Sequence, residues 1–367
     1  ERLTTPRFLA LLDALHERSK LSLFAIDEAH CVSQWGHDFR PEYRMLGRTA
    51  DIFPEVPRLA VTATADARTR EDIRNELRLQ DSAEFVASFA RPELALSAER
   101  KKGAGHKRVL ELVEARPDRS GVIYAGSRDG VDRLAEQLRG FGVPALAYHA
   151  GLDKQVRTER LEQFLEADSA VMVATIAFGM GVDKPDVRYV IHADPPASIE
   201  AYWQEIGRAG RDGDPAEGIT LYGAADMAWA YRRIEGREME DEVKAVQGRK
   251  VRQLYTMLDG TSCRAAAVRR YFGEEGVVAC GQCDICLSPP ASVDATEAAQ
   301  KAPPAPDVAR WGVGVVAGAG THGLLAGGLV TSPEGRIPLL GWRIAAVGIG
   351  AAGASEAIGL LGVQVRP

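Results

Sequence analysis

The sequence predicts an α/β protein: a mostly parallel sheet covered by helices on both faces, followed by a small helical unit that carries a cysteine cluster. Three observations predict it. Short apolar runs alternate with helical patterns through residues 92–223, the rhythm of strand–helix–strand units. A further apolar run, 21–26, ends in the acid pair Asp27-Glu28, and such strand ends are where α/β proteins place their chemistry. Four of the five cysteines, Cys263, Cys280, Cys283 and Cys286, fall within 24 residues.

Taken in order, the first segment, 1–91, shows strand-like runs at 21–26 and 58–62 and a helical pattern over 67–77. The second segment, 92–223, has strands at 121–125, 145–148, 171–174, 189–192 and 219–222. Helical patterns fill the gaps at 129–140, 154–166 and 199–209. The third segment, 224–288, is helical and ends in the cysteines. Residues 289–310 are rich in Pro and Ala and read as a linker. The tail, 311–367, is Gly-rich with no clear helix or strand period. Residues 302–367 hold 14 of the 37 glycines and neither Phe nor Tyr, a character that a shift of reading frame near residue 302 would produce, or else a disordered tail. Residues 311–333 carry no Asp, Glu, Lys or Arg, but their glycines argue against a membrane span.

A chain of 367 residues is long enough for two or three domains with separate cores. Its net charge of −6 means that contact with nucleic acid must be local rather than global. One basic stretch stands out. Residues 244–270 contain Lys244, Arg249, Lys250, Arg252, Arg264, Arg269 and Arg270 against the single acid Asp259, a net +6. No secretory leader pattern opens the chain, so a cytoplasmic, reducing setting is expected, without structural disulfides.

The most informative stretch is 27–43, DEAHCVSQWGHDFRPEY. Asp27 and Glu28 suit the two acids of a nucleotide-hydrolysing site, one holding Mg²⁺ and one orienting the attacking water, with His30 completing the four-residue string. Gln34, Trp35, His37, Phe39 and Arg40 follow at once, a polar-aromatic loop suited to stacking unpaired bases and touching phosphates. Residues 60–65, AVTATA, are small and hydroxylated, and suit a relay of hydrogen bonds between hydrolysis and nucleic acid. In the second segment, 204–213, QEIGRAGRDG, sets Arg208 and Arg211 among glycines, so that both side chains can swing out of the loop. An arginine that reaches a γ-phosphate accelerates phosphoryl transfer by about 10³–10⁵. Cys263-x16-Cys280-x2-Cys283-x2-Cys286 offers four thiolates, which suit a closed structural Zn²⁺ site and could equally hold an iron–sulfur cluster.

Together these strings resemble the RecQ family of DNA helicases over residues 1–288. The 27–43 block is similar to its Walker B motif and aromatic-rich loop, 60–65 to its motif III, 148–152 (YHAGL) and 171–194 to further family stretches including motif V, and 204–213 to motif VI. The resemblance implies two RecA-like domains, the first partial and the second complete, followed by a zinc-binding subdomain. It implies ATP and Mg²⁺ in the cleft, with Gly181, Asp183 and Gln204 on the nucleotide side and Arg211 as the arginine finger assisted by Arg208. It favours zinc over iron–sulfur at the cysteines. It implies 3′→5′ unwinding of DNA in recombination and repair, single-stranded and duplex or forked DNA as partners, and a bacterial-type, nucleoid-associated setting. Arg269 and Arg270, together with Arg264, are candidates for DNA contact once the metal pins their helix. An RNA helicase also carries a DEAH string, but the aromatic loop and the cysteines favour DNA.

The sequence departs from the family at two places. No Gly-x-x-x-x-Gly-Lys-[Ser/Thr] occurs, and no Gly-Lys dipeptide at all, so the phosphate-cradling P-loop is missing. The opening residues resemble the end of motif Ib, and the chain reads as a piece of a longer helicase, impaired alone, or as a non-catalytic DNA-binding fragment. No winged-helix domain is recognisable after the cysteines.

Overall fold

The computed structural model describes residues 5–290 apart from 34, 36–38, 104 and 180–181, together with the backbone of 316–320 and 323–327. It divides into two compact units, Glu1–Ser288 and Pro289–Pro367.

The first unit opens with α1 (Pro6–Glu17), which Thr5 caps by accepting from the Phe8 N–H, with Pro6 at the first helical position. Two short strands, β1 (Phe24–Ile26) and β2 (Arg58–Ala60), pair in parallel with Ile26 opposite Ala60. Between them lie a 3-10 turn at Ala29–Val32 and the short helices α2 (Pro41–Arg44) and α3 (Thr49–Ile52). Helix α4 (Ala67–Glu76) follows, its first turn capped by the Asp66 carboxylate. Among the described residues this sheet has only two strands, so each keeps one unpaired edge.

The second sheet has six parallel strands in the order β3-β8-β7-β4-β6-β5. They are β3 (Leu94–Arg100), β4 (Gly121–Tyr124), β5 (Ala145–Tyr148), β6 (Val171–Ala174), β7 (Tyr189–His192) and β8 (Ala216–Tyr222). Helices α5 (His106–Glu114), α6 (Arg128–Gly140), α7 (Lys154–Glu166) and α8 (Ile199–Ile206) cover it. Strands β5, β6 and β7 and helix α7 have the predicted bounds. Five elements of the first unit, α1, α2, α3, β3 and α5, are additions to the predicted set. Side chains of alternate strand residues divide between two cores. Ile123, Val171, Val173 and Ile191 pack with α5 and α6, while Val122, Tyr124 and Met172 pack with Phe164, Tyr202 and Ile206.

That second core runs on without a break into the helices after the sheet. These are α9 (Ala224–Glu235), α10 (Asp241–Asp259), α11 (Arg264–Tyr271) and α12 (Asp284–Leu287). Val251, Leu254, Val268, Phe272 and Cys283 belong to the same cluster as Tyr202 and Ile206. The cysteine-bearing helices are therefore built onto the back of α8. In the second unit the tail has one described feature, which its lack of strand period does not predict. An antiparallel hairpin pairs β9 (Val316–Gly320) with β10 (Gly323–Gly327). Of the predicted linker, 289–310, residues 291–310 lie outside the described residues.

Candidate functional site

The acid pair stands where β1 ends. Asp27 Oδ1 accepts from the Glu28 N–H at 2.8 Å, and Glu28 adopts a left-handed backbone, φ 51°. A non-glycine residue in that region is strained, and such strain concentrates at functional turns. The turn projects Glu28 toward the next residue of the string: Glu28 Oε2 lies 3.2 Å from His30 Nδ1. The same nitrogen is 2.9 Å from Thr62 Oγ1, just beyond β2. Polar contacts thus run from the acid turn through His30 to Thr62, the first hydroxyl of the 60–65 string. Burial first, then the Cys31 thiol beside it, pushes the Tyr43 hydroxyl above its usual range, with Arg40 pulling down and Glu28 and Asp27 pushing up.

The aromatic loop packs outward from this turn. Arg68, at the start of α4, lies over the Trp35 ring at 4.0 Å, and Arg44 over Phe39 at 5.2 Å. Ser33 donates to Asp72 on α4 and accepts from the Trp35 N–H, which fixes where the indole begins. Phe39 remains 37% exposed. Cationic side chains on aromatic faces make a platform that can stack a base and neutralise a phosphate together. Gln34 and His37, assigned to the same loop, lie outside the described residues, as does Gly181. Sequence reasoning missed Arg68; its signal was a basic residue one helical step after the 60–65 string.

In the second sheet, α8 ends at Ile206 with Gly207 as its C-cap, and the loop turns through Gly210 and Gly213, both at positive φ. Arg208 and Arg211 do not both swing out, as the flanking glycines suggest. Arg208 is buried and its Nη1 donates to the Gly179 carbonyl at 2.6 Å. A Cβ at Gly179 would lie 3.1 Å from Arg208 Nη2, so a larger residue there would push the guanidinium back by a few tenths of an ångström. Arg211 is the accessible one, its Nη1 bonded to Asp183 Oδ1 at 2.8 Å and to the Val182 carbonyl at 3.1 Å. Two predicted site residues, Asp183 and Arg211, are thereby brought together, while Gln204 sits half-buried on α8. Lys184 turns away from Asp183: it is buried and caps the end of α7 through the Leu165 and Ala167 carbonyls.

The four cysteines converge. Their sulfur atoms all lie within 4.8 Å of one another, with Cys280 to Cys286 at 4.0 Å and Cys263 to Cys283 at 3.9 Å. A tetrahedral ion with Zn–S bonds near 2.3 Å separates its sulfurs by about 3.8 Å, so one zinc ion fits once the sulfurs draw together by at most about 1 Å. Backbone N–H groups of Cys280 and Cys283 donate to the sulfurs of Cys263 and Cys280, which favours thiolates. Desolvation pushes the Cys263 thiol up, but the N–H groups of Cys280 and Ala266 outweigh it and bring it below its usual range. Burial holds Cys280 above its own.

Three cations of the basic stretch after residue 244 are spent on structure. Lys250 is buried against Glu200 of α8. Arg264, 3% exposed, forms a two-pronged pair with Asp284 and donates to the Met257 and Leu258 carbonyls. It is a strut between α11 and α12, unable to reach DNA as the sequence reading suggests. Arg269 pairs with Glu274, and exposed Arg270 donates to the Val277 carbonyl at 3.2 Å.

Residues 3–73 match the DEAD/DEAH box helicase domain, 105–213 the helicase conserved C-terminal domain and 224–287 the RecQ zinc-binding domain. The ATP-dependent DNA helicase RecQ of Haemophilus influenzae is 43% identical over 302 residues, 82% of this chain and 48% of that protein. The RecQ of Bacillus subtilis is 39% identical over 304 residues, 82% of this chain and 50% of its own length. The RecQ-like DNA helicase BLM of Xenopus laevis is 43% identical over 278 residues, 73% and 20%. The chain spans about half the length of the bacterial relatives it matches.

Proposed function

The chain belongs to the RecQ family of superfamily 2 helicases, and on that premise we propose that it is the strand-sensing and arginine-bearing part of an ATP-driven, Mg²⁺-dependent DNA helicase. The motor would unwind duplex or forked DNA in the 3′→5′ direction during recombination and repair, in association with the nucleoid. One observation carries the reading: the acid turn, His30–Thr62 and the Trp35–Arg68 platform are built from neighbouring segments of one small sheet. Asp27 would hold Mg²⁺, Glu28 would orient water, and Arg211 would meet the γ-phosphate. Zinc at the four cysteines would hold α10–α12 against α8. Among the described residues no helix is long and apolar enough to cross a membrane.

A second reading, DNA binding without turnover by this chain alone, is favoured by the lack of any Gly-Lys dipeptide in the sequence. Both readings require single-stranded DNA to bind at Trp35. The test is affinity for a labelled single strand of DNA and its RNA counterpart, for the parent and for Trp35→Ala. Loss of one stacked base costs about 1–3 kcal/mol, roughly 5- to 150-fold in affinity. Equal binding by Trp35→Ala, or tighter binding of RNA, would contradict the assignment.

A further inference from the structure

Arg91 lies in the segment that joins the two sheets, just before β3. Its Nη2 donates to the Ala209 carbonyl at 2.7 Å and to that of Gly210 at 3.4 Å, and its Nη1 to that of Gly207 at 3.4 Å. These three carbonyls frame the loop that carries Arg208 and Arg211. Glu93 accepts from the Arg91 Nε and keeps the guanidinium turned toward the loop. The loop closes on this pair from above: a Cβ on Gly210 would lie 3.3 Å from the Glu93 Cγ and 3.0 Å from the Asp214 carbonyl oxygen.

Arg91 is itself held from two other directions. Two residues earlier, the Phe89 ring stacks on Phe272 of the cysteine-bearing subdomain, centroids 4.2 Å apart and planes within 10°. The Phe89 N–H donates to Glu274 Oε1 at 2.7 Å. Further back, Glu84 pairs with Arg70 and Arg74 of α4, beside the first sheet. The joining segment therefore touches α4, the cysteine-bearing helices and the arginine loop in turn.

We propose that Arg91 is a positioning residue for the Arg208–Arg211 loop, fixing its backbone so that Arg211 is presented in one orientation. The proposal rests on the reading of Arg211 as a phosphate-facing arginine, but its test does not. A planar guanidinium can bridge several carbonyls at once, whereas a lysine ammonium on a flexible stem cannot hold the same set. A glycine-rich loop released from that bridge regains backbone freedom.

The test is amide hydrogen exchange on the full chain loaded with Zn²⁺, comparing the parent with Arg91→Ala and Arg91→Lys. The amides of Arg208, Ala209 and Gly210, each bonded to a backbone carbonyl, report the loop. Arg91→Ala is expected to exchange about tenfold faster there, with β4, β6 and the cysteine segment unchanged. Arg91→Lys, which keeps the charge beside Glu93, is expected to remain faster than the parent in the same three amides. Parent-like exchange in Arg91→Lys would overturn the proposal, because charge alone would then suffice. Acceleration spread evenly over the whole second sheet would overturn it too, and if Arg91→Ala does not fold, the lysine variant alone decides. Neither result depends on ATP turnover, so failure here leaves the helicase reading standing.

Discussion

His30 Nδ1 sits 2.9 Å from Thr62 Oγ1 and 3.2 Å from Glu28 Oε2, so one buried imidazole joins the acid turn after β1 to the segment after β2. His30 is 1% exposed, and its ring has little access to water as a substitute partner. Thr62→Val removes the hydroxyl while keeping the shape. It is expected to cost about 1–2 kcal/mol of stability in urea unfolding, with Thr62→Ser close to the parent. Equal stability of the valine variant would show that the contact is incidental.

Zinc is expected to be bound at one ion per chain, released by a strong chelator with loss of helicity confined to 224–288. Because Phe272 and Cys283 share a core with Tyr202 and Ile206, chelation should also expose Trp203, read as a change in tryptophan fluorescence. A chelated chain with unchanged helicity would contradict the closed four-thiolate site.

Arg264→Ala is expected to destabilise the chain by about 3 kcal/mol, since it strips Asp284 of both prongs of a mostly buried pair. Asp284 also accepts from the Ala98 N–H at 3.0 Å, so the loss reaches β3. The salt dependence of DNA binding should not change in this variant, whereas Arg270→Ala, on an exposed residue, should flatten it by about one ion. A flattened slope in Arg264→Ala alone would reverse the assignment of the two arginines.

Glu93 gives a pH signature. Its burial raises the carboxyl, but the Arg91 guanidinium outweighs this and holds it below its ordinary value of 4.5. A carboxylate lowered on folding stabilises the protein fully above that ordinary value and loses the contribution as pH falls through the folded one. Glu93→Gln should therefore be less stable than the parent by about 1–2 kcal/mol at pH 7, with the gap closing as the pH drops below 4.5. A gap that stays constant down to acid pH would show that charge at Glu93 contributes nothing.

How far the sequence reaches depends on how local each cause is. β5, β6 and β7 are legible to the residue because each is a short apolar run closed by turn residues. β3 is harder, since Ser97, Glu99 and Arg100 break up Leu94–Arg100 so that it offers no continuous apolar run, and it pairs only with β8 at the sheet edge. α5 was legible in principle: Val109, Leu112 and Val113 follow the three-four spacing of a helix and are buried. In the site, residue identity is local but orientation is not. Arg208 turns inward because of a carbonyl 29 residues away, at Gly179. The +6 stretch looks free in sequence because Glu200, Asp284 and Glu274, which pair with Lys250, Arg264 and Arg269, all lie outside it.

The reading of Asp27 and Glu28 as hydrolytic acids, and of the Trp35 loop as a strand sensor, is proposed for a sequence that contains no Gly-x-x-x-x-Gly-Lys-[Ser/Thr]. It is tested most directly by ATP hydrolysis of the purified chain with Mg²⁺, with and without single-stranded DNA, beside Glu28→Gln. Turnover is expected to be no higher than in that variant, while single-stranded DNA still binds through Trp35. DNA-stimulated hydrolysis that Glu28→Gln abolishes would contradict that expectation, and would mean that other residues of this chain grip the phosphates.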